Sequence, residues 1–231
     1  MPNADDVENY IDHFRKRLES IRACDAAVME KKILLVTILA ALAVGRYPNT
    51  QHDRKRFQEL VSSHSDWPDG YRLFLPELAK RITTDLRYRL HPELLKRIEG
   101  GKPPRTDVQT SRISREFPSL GEVLPGDASE HDKNFLVNGS LLHLLYEYRN
   151  TLVHEFREPG HGFEFDKRER EPYFHPVSDL NGEVEKLELV YPLGFFDRLV
   201  ESVLFSLKNW YIDNGINPYE RYDFGSPWKS P

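Results

Sequence analysis

The sequence predicts a mainly α fold with a small antiparallel β insertion. Three observations predict it. Apolar residues recur at spacings of three and four over 5–24, 133–157 and 193–213, and 26–45 is almost entirely apolar or helix-forming. Residues 161–192 switch to alternation around a turn pair. Pro, Gly, Ser and Asp dominate residues 100–131, between helical segments.

Each element follows from its residues. Over 5–24, Ile11, Phe14, Leu18 and Ile21 line one side of a helix. Residues 26–45 carry few charges after Lys32, which predicts a central helix covered on most sides. Pro48 ends it. A short helix over 53–63 bears Phe57, Leu60 and Val61, and the stretch DWPDG after it is a turn. A further helix begins near Pro76, with Leu75, Leu78, Ile82 and Leu86 on one side and Arg81, Arg87 and Arg89 on others. It breaks at His91-Pro92, and Gly100-Gly101 ends its continuation over 92–99.

Residues 100–131 are rich in Pro, Gly, Ser and Asp and are expected to form a long surface loop. One long helix is expected over 133–157. Phe163 and Phe165 alternate with charged residues, Asn181-Gly182 makes a hairpin turn, and Leu187, Leu189 and Tyr191 alternate beyond it. The closing helix over 193–213 is capped by Asn214-Gly215, and the Pro- and Tyr-rich tail is irregular.

Composition narrows the function classes. The chain has 231 residues, 39% hydrophobic and 30% charged, ordinary for a globular protein with a sizeable core. Cys24 is the single cysteine, so neither an intramolecular disulfide nor a cysteine-rich metal site can form. Acidic and polar residues follow Met1 where a secretion signal would need positive charge and an apolar run, so a cytoplasmic protein is expected. The most apolar run, residues 33–45, is too short to span a bilayer, so no membrane partner is expected.

The net charge is −5, but it is uneven: residues 46–112 carry fourteen basic and nine acidic side chains, and residues 113–231 carry twelve and twenty-one. The basic segment would attract a polyanion and the acidic half would repel one. A solvated charged surface explains the same asymmetry. No Gly-rich phosphate loop, nucleophile elbow, zinc-finger spacing or HExxH is present, and neither metal nor cofactor is expected.

The chemistry concentrates in residues 141–154. On a wheel of 100° per residue, Leu141, Leu145, Tyr148 and Leu152 form one apolar stripe, and Leu142, Tyr146 and Val153 form a second. The remaining side carries His143, Glu147, Asn150 and His154, at spacings of four, three and four. Imidazoles exchange protons near neutral pH, which makes this side the acid–base candidate. Arg149 lies in the second stripe, about 140° from His154. Three arrangements bring them together: the long Arg reaches round, the helix is distorted, or two chains face each other.

Arg149, with polar Asn150 directly after it and His154 after four intervening residues, late in a long helix, resembles the motif of the HEPN superfamily. These are helical domains of many prokaryotic toxin and defence ribonucleases. The resemblance covers about half the chain. It implies a HEPN-like helical bundle, one domain over 1–231, with insertions at 46–131 and 161–192. It implies a homodimer with both motifs at one composite cleft, and metal-independent cleavage of RNA.

Arg149, Asn150 and His154 then become the catalytic set, with Glu147 and His143 supporting. Arg81, Arg87 and Arg89 are the RNA-contact candidates. RNA, a second copy of the chain, and an antitoxin or another defence-system protein are the implied partners. The bland readings stand beside these: His154 as a satisfied structural histidine, Arg149 as an internal salt-bridge partner, the arginine-rich helix as a solvated face, Cys24 as core. Many HEPN-like proteins are scaffolds, so a non-catalytic helical adaptor is the alternative function.

Overall fold

Breakers and caps cut this chain into the helices its apolar periodicity predicts. The computed structural model describes residues 4–50, 52–81, 96, 108–109, 118–123, 129–160, 164, 170–178, 181 and 184–220. It is mainly α with a small antiparallel sheet, as the sequence predicts. The chain divides into two compact units, one of residues 1–66 and 196–231, the other of residues 67–195.

The first unit is helical. It contains α1 (Ala4–Ala23), α2 (Val28–Arg46), α3 (Asp53–His64) and most of α8 (Leu193–Asp213). Tyr10, Ile11 and Leu18 of α1, Leu35 and Leu39 of α2, Phe57 and Leu60 of α3, and Val203 and Leu207 of α8 are buried. The Tyr10 and Tyr211 rings meet edge to face at 5.8 Å. Arg22 holds Asp197 through two hydrogen bonds, at 2.7 and 2.8 Å. The Asn214-Gly215 stop works as expected: Gly215 has φ +62°, and the Ile216 N–H reaches back to the Tyr211 carbonyl. Helix α2 buries most of its circumference, although Leu34 is exposed. Cys24 is half-buried, with its thiol donating to the Ile21 carbonyl.

At the end of α2 the Arg46 guanidinium lies 3.5 Å from the Trp210 ring centroid and 4.4 Å from that of Tyr47. Arg46 Nε donates to Nε2 of the buried His64, at 3.2 Å. That fixes the tautomer: Nδ1 carries the proton and donates to Ser206 Oγ, at 3.1 Å. Burial, and then the neighbouring Arg46 charge, push the His64 pKa down to about 4.

The second unit is mixed. The expected DWPDG turn takes the form of a 3-10 turn (Pro68–Tyr71) and leads to α4 (Leu75–Arg81). Strand β1 (Val108–Gln109), α5 (Leu120–Val123), α6 (Glu130–Val137), α7 (Leu141–Glu155), β2 (Tyr173–Ser178) and β3 (Val184–Val190) follow. The sheet is antiparallel in the order β1-β2-β3, with Phe174 opposite Leu189 and Tyr173 opposite Val190. The stacked rings of Phe74 and Phe174, 4.8 Å apart, pack the chain ahead of α4 onto it.

Two expectations are corrected. The stretch 100–131 is not wholly a loop, because Val108 and Gln109 extend the sheet and Leu120–Val123 is helical. The single helix expected over 133–157 is two helices, α6 and α7, separated at Asn138–Ser140. The break has a packing reason. A Cβ on Gly139 would meet Leu78 Cδ2 at 2.4 Å, so the chain passes hard against α4 there. The Gly139 carbonyl accepts from the Phe74 N–H, and the Leu141 N–H donates to the Arg72 carbonyl. Phe163, Phe165, Gly182 and the helix continuation over 92–99, except Lys96, lie outside the described residues.

Gly139→Ala should lower stability by about 1–3 kcal/mol, because Leu78 is itself fully buried and has little room to yield. A reduced urea midpoint with an unchanged slope is the expected reading. His64 gives a pH signature. Its folded pKa lies below the ordinary value of 6.5, so below that pH the unfolded chain binds the extra proton. Stability should therefore be full above pH 6.5 and fall as pH drops toward 4. Melting curves of wild type and His64→Asn across that window should converge toward the acid end.

Candidate functional site

Helix α7 is built to expose one narrow side and its C-terminal end. Ser140 starts it, its hydroxyl accepting from the His143 N–H at 3.2 Å. Leu141, Leu145, Tyr148 and Leu152 of the first stripe are buried, and so are Leu142 and Tyr146 of the second. Tyr191, fully buried, donates its hydroxyl to the Leu141 carbonyl at 2.7 Å, which locks the first turn. Burial pushes the Tyr191 pKa well up, so it stays a donor.

The sequence-predicted residues separate along this frame. His143 is buried, with Nε2 3.6 Å from Glu147 Oε1, beyond ordinary hydrogen-bond length. Glu147 lines a cleft of about 320 Å³ together with Glu77, Leu144, Thr151, Lys186 and Glu188. Three carboxylates against one lysine make that cleft unsuited to a polyanion. Arg149 is half-buried and its Nη1 donates to Asn150 Oδ1 at 2.9 Å. Because Arg is donor-only, this bond fixes the amide, and the Asn150 NH2 remains a donor beside the guanidinium. The Arg149 guanidinium carbon also lies 5.6 Å from the Tyr146 ring centroid.

His154 stands in the last turn and is exposed, and its side chain makes no hydrogen bond or ion pair to the described residues. It is not a satisfied internal histidine. Helix α7 is continuous α-helix from Leu141 to Glu155, so distortion does not bring Arg149 and His154 to one side. Arg81 ends α4, while Arg87 and Arg89 lie outside the described residues. His175 is half-buried on β2 and His161 lies outside the described residues.

Sequence reasoning passed over the turn that closes the helix. Phe156 takes the left-handed conformation, φ +52° and ψ +40°, and is 68% exposed. Beyond it, Glu158 accepts a 2.7 Å hydrogen bond from the Tyr148 hydroxyl, which burial and then Glu158 hold protonated. Gly160, φ +76°, approaches Glu188 so closely that a Cβ would lie 2.7 Å from its carboxylate. Arg157 Nε donates to Glu155 at 2.7 Å. The one signal in the sequence was the Pro159-Gly160 pair, which marks a stop but not the residue that bends.

Among the described residues no group of His, Cys, Asp and Glu is placed to hold a metal ion, and no helix is long and apolar enough to cross a membrane. No family model, curated protein or solved structure matches this chain.

Ser140→Ala should cost about 1 kcal/mol by removing the cap of α7. Native-state hydrogen exchange should show the loss in the first turn of that helix.

Proposed function

We propose that the protein is a metal-independent endoribonuclease of the HEPN type, acting as a homodimer in a toxin or defence setting. The observation that carries the reading is the state of α7: an exposed His154 at its end, and one turn earlier a half-buried Arg149 whose Nη1 donates to Asn150 Oδ1. The resemblance of the motif supplies the reaction class.

RNA brings its own nucleophile. One His154 imidazole accepts the 2′-hydroxyl proton as the oxygen attacks phosphorus. The bond to the 5′-oxygen breaks, and the same imidazole, now protonated, returns that proton to the leaving oxygen. Arg149 meets the charge on the phosphoryl oxygens through its planar fork, and the Asn150 amide adds a donor. The products are a 2′,3′-cyclic phosphate and a free 5′-hydroxyl. DNA lacks the nucleophile and is not cut.

Two copies are needed for a geometric reason. In a regular helix Arg149 and His154 project about 140° apart, so one chain does not aim both at one phosphate. Antiparallel approach of two such helices brings Arg149 of one chain to His154 of its partner. His143, being buried, has a packing role in this scheme, and Glu147 faces the acidic cleft.

The second reading, a non-catalytic adaptor with the same dimer, is favoured by the acidic balance of residues 113–231, which contain the motif. The two readings separate in one experiment. End-labelled tRNA and mixed cellular RNA are incubated with the protein in excess EDTA, beside Arg149→Ala and His154→Ala. The enzyme reading expects cleavage that EDTA does not reduce, cyclic-phosphate ends, and a fall of about 100-fold or more for each variant. Cleavage by His154→Ala at the wild-type rate sinks this site. Intact RNA together with a dimeric native mass supports the adaptor.

A further inference from the structure

We propose that Phe156 is a stacking platform for a base flanking the scissile phosphate. This inference rests on the ribonuclease reading, and it names a substrate contact that the motif does not contain.

The argument starts from backbone conformation. Helices that end in the left-handed region use Gly there, because a Cβ is disfavoured at positive φ. Among the described residues Phe156 is the one non-glycine with positive φ. A bulky residue in that region is an outlier whose cost is offset by something other than local stability. Its own burial does not offset it, since the ring is 68% exposed. An exposed phenylalanine alone would mean little. This one sits two residues after His154, on a strained turn that is firmly held.

The turn is anchored to the helix it closes. Tyr148, buried in α7, donates to Glu158 at 2.7 Å, and at Gly160 the backbone passes so near the Glu188 carboxylate that a Cβ would lie 2.7 Å from it. Glu155 and Arg157 pair across the turn, at 2.7 Å, so each neighbour of Phe156 holds the other. The ring is thus presented to solvent on a fixed backbone, with only its own two side-chain torsions to lose on contact.

That is what recognition of a single-stranded loop needs. Cleavage through the 2′-hydroxyl requires the nucleotide to leave helical stacking so that nucleophile, phosphorus and leaving oxygen can align. A base taken out of its stack is received on an aromatic face, which tolerates any base but favours those that stack best. Phe suits this better than a charged residue would. The acidic balance of this half of the chain limits phosphate attraction, so affinity has to come from a term that is not electrostatic.

The test separates binding from cleavage. In the His154→Ala background, anisotropy of a fluorescein-labelled single-stranded RNA oligonucleotide is measured with Phe156, F156G and F156W. F156G should weaken binding about ten-fold, and F156W should restore it to within about two-fold. F156G should melt no lower than its parent, because glycine relieves the positive φ. Equal binding by F156G, or no binding by the parent, overturns the proposal. So does a loss of dimer mass in F156G, which would make Phe156 a protein contact instead. Phe156-dependent binding, with tRNA left intact by the protein carrying His154, upholds the platform and refutes the ribonuclease reading.

Discussion

One short helix with two apolar stripes has to be covered on two sides, and that constraint organises the candidate site. Helix α7 meets it by burying Leu141, Leu145, Tyr148 and Leu152 on one side and Leu142 and Tyr146 on another. The Tyr191 hydroxyl ties its first carbonyl down, and Ser140 caps its first turn. What remains for chemistry is a thin polar side and the C-terminal end. Polar groups near the start of the helix are drawn into packing, as His143 is. Those near the end reach solvent, as His154 does. The gradient from buried to exposed along one helix, rather than the mere presence of two imidazoles, decides which histidine is available.

The same constraint explains why the end of the helix is elaborate. A helix anchored at its start frays at its end unless the following chain is held. Here the hold comes from a buried tyrosine acting backwards, Tyr148 onto Glu158. The turn between carries His154 and Phe156 outward on a backbone with little freedom. Positioned side chains on a supported frame are what catalysis and recognition both require. The neighbouring cleft, rich in carboxylates, is kept distinct in charge from the helix end.

Much of the fold was legible from periodicity. The closing helix was read as 193–213 and is Leu193–Asp213, and β3 lies where the alternation of Leu187 and Leu189 predicted a strand. The two stripes of α7 were visible on a wheel. What escaped was non-local. The break at Gly139 depends on Leu78, a residue 61 positions earlier, pressing against it. The pairing of β1 with β2 joins residues more than sixty apart, within a stretch whose composition resembles a loop. The candidate site was half legible: Arg149, Asn150 and His154 were proposed from residue types, spacing and the resemblance of the motif. The burial of His143 and the left-handed turn at Phe156 came from packing and backbone conformation, which a wheel does not represent.

The central claim is that Arg149 of one chain works with His154 of another. Mixing the Arg149→Ala and His154→Ala proteins tests it most directly, after exchange of subunits has been verified by native mass. Each heterodimer would hold one doubly altered site and one intact site. The account predicts that two inactive preparations regain EDTA-resistant RNA cleavage on mixing. A mixture that forms heterodimers and stays inactive, beside a wild type that cuts, would contradict it and place both residues in a single chain's site.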